Sequence, residues 1–217
     1  MTSLSNETLI EMLNWRYAVK RFDPTRKISD GSWKTLEKAL VLSPSSYGLQ
    51  PYQFLVVQNP ELRKKLRAVS WNQSQVEDCS HYVVILGKGS MDASYIDHFI
   101  QRTAEVRGID AAQLAGYRNM IVDNLVKAPG IAERIPEWSA KQAYIAFGNI
   151  MTAAATLQID ACPIEGLDAA KYDELLGLKD GDYHTLAACA LGYRHSDDNY
   201  AKSKKVRLKT EELVRYL

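Results

Sequence analysis

The chain has 217 residues, 46% of them hydrophobic and 24% charged, which suits a single domain, residues 1–217, around one sizeable core. A net charge of +1 gives no global field to draw the protein to nucleic acid or to a membrane surface. The three cysteines, Cys79, Cys162 and Cys189, are scattered without a CxxC pair, which argues against a disulfide framework and for a reducing, cytoplasmic setting.

The start, MTSLSNETLIEML, has no basic segment followed by an apolar one, so no signal peptide is expected. Ser5 or Asn6 is placed to cap a first helix carrying Leu9, Ile10, Leu13 and Met12 on one face and ending around Trp15 to Tyr17. Val19 to Phe22 then extends away. Ser29 caps a second helix with Trp33, Leu36 and Leu40 inward, stopped at Ser43-Pro44. A polar loop bounded by Pro44 and Pro51 leads into a strand, Tyr52 to Val57. A helix after Pro60 precedes a second strand, His81 to Leu86.

Residues 91–126 read as two helical pieces broken near Gly108, the most polar and least firmly packed part of the chain. A long core helix is expected over Glu137 to Leu157. Its apolar stretch from Ala140 contains Lys141, Gln142 and Asn149, which marks a buried helix rather than a membrane span. Strands follow at Ile159 to Ile164 and Thr185 to Tyr193, then a basic tail and a last helix from Thr210. Helices and strands interleave without regular βαβ units, so the fold class is α+β.

No GxGxxG follows a strand, no GxxxxGK[ST] is present, and no GxSxG marks a hydrolase. His81, His98, His184 and His195 are too dispersed for a zinc site. The absence of these signatures favours chemistry borrowed from a cofactor. Arg16, at the end of the first helix, and Arg207, in the triplet Lys205-Val206-Arg207, carry permanent charge and can grip phosphate in a bidentate way. If the two chain ends meet, they form a pocket for a phosphorylated cofactor.

Taken alone, Arg16 is a helix-dipole partner and the lysines of residues 202–205 a solvated tail. Their joint occurrence with the turn Pro163-Ile164-Glu165-Gly166 points instead to cofactor binding. Glu165 alone reads as a turn carboxylate or a general base. Tyr47 is open between a lid over substrate and a loop residue packed at an interface. Gln142 is open between a cofactor contact and the filling of a polar gap. Cys162 reads as a small buried hydrophobe.

Arg16 to Phe22, Ser43-Pro44-Ser45-Ser46 with Gln50-Pro51, Trp138 to Gln142, Pro163 to Gly166 and Lys205/Arg207, in this order and spacing, resemble the FMN-dependent nitroreductases. The closest likeness is to the oxygen-insensitive bacterial enzymes. The resemblance runs almost the full chain. It implies a mixed, mainly antiparallel sheet sandwiched between helices, in a homodimer with two FMN groups at the subunit interface. NADH or NADPH is the implied donor, and nitroaromatics or quinones the acceptors, by a ping-pong mechanism. Flavin, pteridine or enone reduction, or a non-catalytic flavin-binding role, is the alternative.

Carried over by motif, Arg16, Lys205 and Arg207 hold the FMN phosphate, with Tyr17 and Ala18 beside them. Lys20 lies at the pyrimidine edge of the ring, where its ammonium stabilises the reduced anion. Asn72 hydrogen-bonds the polar edge of the ring. Pro163 and Ile164 pack on one face, and Glu165 and Gly166 offer backbone N–H groups near the hydride-carrying nitrogen. Pro44, Ser45 and Ser46 reach the flavin of the opposite subunit, and Gly48 is a further cofactor-binding position. Lys20 and Glu165 are the implied catalytic residues. Ala18 replaces a usual serine, Gly48 an asparagine and Gln75 a second lysine. The lost positive charge implies a flavin potential below that of close relatives, which a midpoint measurement at or above theirs would contradict.

Overall fold

The computed structural model describes residues 4–217. The helices are α1 (Asn6–Trp15), α2 (Asp30–Val41), α3 (Pro60–Ala68), α4 (Gln75–Asp78), α5 (Ala93–Arg107), α6 (Ala115–Val122), α7 (Ile135–Thr156), α8 (Ala169–Leu176) and α9 (Thr210–Leu213). The strands are β1 (Tyr52–Val57), β2 (His81–Lys88), β3 (Asp160–Ile164) and β4 (Tyr183–Gly192). They form one sheet in the order β1-β2-β4-β3, with every strand pair antiparallel. Among the described residues a parallel element enters only as the isolated bridge between Ala18 and Ala161. The α+β expectation of a mainly antiparallel sheet between helices agrees with this architecture.

Both sheet faces are buried, so β2 and β4 read as continuous apolar runs rather than alternating ones. Their side chains still sort with period two. Val83, Ile85, Ala187 and Cys189 join Leu36, Leu40, Phe147 and Ile150 on the α2/α7 face. Val84, Leu86, Ala188 and Ala190 join Leu66, Val76, Ile164 and Tyr172 on the α3/α8 face. The alanines of β4, with Ala143, Ala146 and Ala154 of α7, remove side-chain bulk where α7 crosses the sheet. The three cysteines are free and buried. Burial pushes the Cys79 thiol up to about 12 and also raises Cys162, so neither is a ready nucleophile.

Three sequence expectations shift. The region 91–126 is not loosely packed: Ile96, Ile100, Ile121, Val122 and Leu125 close on Leu49, Met91 and Ile135 as a third apolar cluster. Its polarity belongs to the outward faces of α5 and α6. The core helix begins at Ile135, because Pro136 fits a first turn that needs no N–H. The last helix is a single turn. No helix among the described residues is long and apolar enough to cross a membrane.

Candidate functional site

The two chain ends do meet. Ser5 caps α1 by accepting from Thr8 N, and the helix stops at Arg16, whose backbone turns extended. The last turn of α1 holds no basic residue, and the counter-charge comes from the far end of the sequence. The Lys205 ammonium donates to the carbonyl oxygens of Leu13 and Arg16. Arg16, Lys205 and Arg207, with Lys20 and Pro163, line one cavity of about 540 Å³.

No carboxylate lies within ion-pair distance of Arg16, Lys205 or Arg207 among the described residues. Arg16 Nε is buried without a hydrogen-bond partner. Burial, and then the neighbouring Arg207 charge, holds the Arg16 guanidinium below its usual range. Burial also lowers Lys205, with Arg16 and Arg207 adding to the effect. An orphaned guanidinium N–H inside a cluster of like charges is costly until an anion enters. The residues present therefore fit a phosphate group.

The segment joining α1 to the sheet is fixed by a residue that sequence reasoning missed. Asp198, 2% exposed, accepts from the backbone N–H groups of Lys20 (2.7 Å), Arg21 (3.0 Å) and Tyr200 (3.0 Å). Burial pushes its carboxyl up, but these N–H groups outweigh that and leave it below the usual carboxylate range. Nearby, Arg194 Nε meets Asp160 at 2.9 and 3.0 Å, and its guanidinium lies 4.2 Å from the Trp15 ring and 4.6 Å from the Tyr17 ring. Tyr17 keeps a buried hydroxyl without a partner, and burial pushes it up to about 12.

Pro163 and Met151 also line a second cavity of about 350 Å³, with Tyr144, Phe147, Gly148 and Glu165. The two cavities adjoin at these two shared residues, a groove cationic at one end and mainly apolar at the other. Its floor is a stripe on α7, Tyr144, Phe147, Gly148 and Met151, at the i, i+3, i+4, i+7 spacing of one helix face. That spacing was the available signal for these residues. The Tyr144 hydroxyl donates to Glu165 Oε1, and burial, then this carboxylate, pushes the phenol up to about 12.

Beyond Glu165 the groove meets a strained loop. Trp71 and Asn72 have φ of 51° and 56°, and Arg67 Nε donates to Asn72 Oδ1 at 3.0 Å. A Cβ on Gly166 would sit 2.6 Å from the Trp71 ring, so a larger residue there would displace that ring. Gln73 Nε2 ties them by donating to the Gly166 carbonyl at 3.0 Å. Gln75, at the start of α4, is buried.

Several residues singled out from sequence take other places. Ile164 is 2% exposed in the α3/α8 cluster, on the strand face opposite Pro163, so its side chain cannot pack beside Pro163. The strand's period of two decides this. Pro44, Ser45, Ser46 and Gly48 do not line the groove of their own chain. Gln142 anchors the loop: its Oε1 accepts from Ser46 N at 2.8 Å and its Nε2 donates to Trp138 O at 3.2 Å. Tyr47, at φ 58°, has its carbonyl held by the Tyr117 hydroxyl at 2.9 Å and faces a cleft on the α5 side.

The family profile described as the Nitroreductase family matches residues 13–193. A Staphylococcus epidermidis protein provisionally named an NAD(P)H nitroreductase is 36% identical over 222 residues, covering 98% of each chain. Among solved structures, a Bacillus subtilis protein provisionally described as a nitroreductase superposes with TM-score 0.83 at 19% identity, covering 98% of this chain and 100% of that one. A similarly described Exiguobacterium sibiricum protein, solved in complex with FMN, superposes with TM-score 0.80 at 20% identity, covering 100% of this chain and 99% of its own.

Proposed function

The chain belongs to the nitroreductase family, and we propose that it is an FMN-dependent oxidoreductase carrying two electrons from NADH or NADPH to nitroaromatic or quinone acceptors. The observation that carries this reading is the buried, unpartnered Nε of Arg16 in a cation cluster that opens onto an apolar groove. A phosphate at one end and a flat ring along the other match those two chemistries.

In this reading Arg16, Arg207 and Lys205 hold the phosphate, with Lys205 also fastening the end of α1. Pro163, Met151 and the α7 stripe give the ring an apolar bed. When bound, FMN supplies hydride chemistry that no side chain here can perform. Lys20 stabilises negative charge at the ring edge. Asn72 orients the polar edge, while Glu165 and Gly166 contribute backbone groups from a turn fixed by Trp71 and Gln73. The Tyr144 hydroxyl holds the Glu165 carboxylate in place and keeps its own proton at neutral pH.

The exposed apolar residues Leu9, Ile10 and Leu13 of α1, with Tyr144 and Ile145 of α7, support a homodimer. In it, Pro44, Ser45, Ser46 and Gly48 of one protomer serve the groove of its partner. Size-exclusion chromatography with light scattering at micromolar protein should return twice the chain mass.

The decisive experiment is optical. The purified protein should be yellow and should bleach under nitrogen with NADH or NADPH. A colourless protein that takes up no flavin on incubation with FMN would overturn the proposal. One groove serving donor and acceptor in turn should give parallel double-reciprocal lines; intersecting lines would exclude that scheme.

A further inference from the structure

A further cavity lies outside the groove, a cleft of about 630 Å³ between α5, Tyr117 and the loop carrying Tyr47. Phe99, Arg102, Thr103 and Val106 repeat at i, i+3, i+4, i+7, so one outward face of α5 forms its wall. Tyr47 and Tyr117 face them across the cleft, and Arg107 stands at the helix end.

Most polar atoms in this cleft are already engaged. The Thr103 hydroxyl donates to Phe99 O at 2.9 Å, and the Tyr117 hydroxyl to Tyr47 O at 2.9 Å. Arg102 meets Glu105 at 3.2 Å on the surface, a weak and screened pair. Arg107 has no carboxylate within ion-pair distance among the described residues. The donors left to a ligand are therefore guanidinium groups and the Tyr47 hydroxyl, set beside aromatic faces.

The wall is also built under strain. Tyr47 has φ 58°, a left-handed backbone costly for an aromatic residue, and its carbonyl is pinned by Tyr117. Gly48 follows at φ 76°, and a Cβ there would come within 3.3 Å of the Phe99 ring. The loop thus presses directly on α5 and holds the Tyr47 ring at the cleft.

We propose that this cleft binds aromatic acids, with the ring among Tyr47, Phe99 and Tyr117 and the carboxylate on the guanidinium of Arg107, assisted by Arg102. Guanidinium forks suit carboxylates, and ring-lined walls favour flat ligands. This binding does not rest on the oxidoreductase reading above.

The test uses FMN-treated full-length protein, so that the Arg16 cluster is saturated, and titrates it calorimetrically with 1-naphthoate and with the neutral 1-naphthalenemethanol. The acid should bind at least tenfold more tightly, and Arg107→Gln should remove most of that preference while leaving the alcohol unchanged. Equal affinities would overturn the proposal. So would a preference that survives Arg107→Gln and the double change with Arg102→Gln, or one abolished by Arg207→Ala with Arg107 intact, which would put the acid in the phosphate cluster.

Discussion

The ammonium of Lys205 donates to the backbone carbonyl of Arg16, 189 residues earlier, and so fixes the C-terminal tail to the end of the first helix. One cation stabilises the helix terminus while its two neighbours, Arg16 and Arg207, are left to face a ligand. The roles of these three cations are therefore separable by experiment.

Arg207→Ala should lower FMN affinity at least tenfold with little change in melting temperature, since the residue is exposed and its guanidinium donates only to the neighbouring Val206 carbonyl. Lys205→Ala should weaken FMN and also cost roughly 0.3–1 kcal/mol of stability from the uncapped end of α1. Fluorescence titration with FMN and thermal melts of the flavin-free proteins check both. Equal melting behaviour in the two variants would separate Lys205 from the helix end.

Lys20→Met should retain FMN but slow its reduction by NADH several-fold and lower its midpoint potential, because a positive charge is lost where negative charge develops. Stopped-flow and potentiometric measurements read this directly. Loss of FMN with an unchanged potential would assign Lys20 to the phosphate instead.

Asp160→Ala should destabilise the fold by about 3–5 kcal/mol, the usual cost of leaving one member of a buried ion pair alone. Asp160 is 3% exposed and is met by both the backbone N–H and the guanidinium of Arg194. A urea midpoint within error of the parent would refute this.

Gln142→Leu should cost roughly 1–3 kcal/mol through the unsatisfied Ser46 N–H. If the loop it anchors serves the partner's groove, FMN should dissociate faster as well. Unfolding curves and flavin release rates report the two effects independently.

Asp198 gives a pH signature. Its folded carboxyl sits below the usual value, so its stabilisation is complete above about pH 4 and is lost as the pH falls through the folded value. The stability gap between parent and Asp198→Asn should be widest near neutrality and narrow in acid. A gap that widens below about pH 4 would reverse the assigned sign.

Much of the architecture was legible because local rules dominate it. Ser5 and Ser29 cap helices that bury or expose the expected faces, and the runs at residues 52 and 81 form strands. The cation motif at Arg16 and the turn at Pro163 were visible as charge and composition. Asp198 and the Asp160–Arg194 pair gave no sequence signal, because single acidic residues acquire meaning only from the backbone folded around them. The direction of the Ile164 side chain was hidden for a similar reason: a motif names neighbours in sequence, whereas a strand sends consecutive side chains to opposite faces.

By itself the sequence determined the elements, their apolar faces and the residue types suited to phosphate, since these follow from spacing and side-chain chemistry. Only the tertiary structure decided that Lys205 caps α1, that Gln142 serves a loop, and that the cation cluster continues into an apolar groove through Met151 and Pro163. Those outcomes depend on contacts between residues far apart in the chain, which periodicity and composition do not encode.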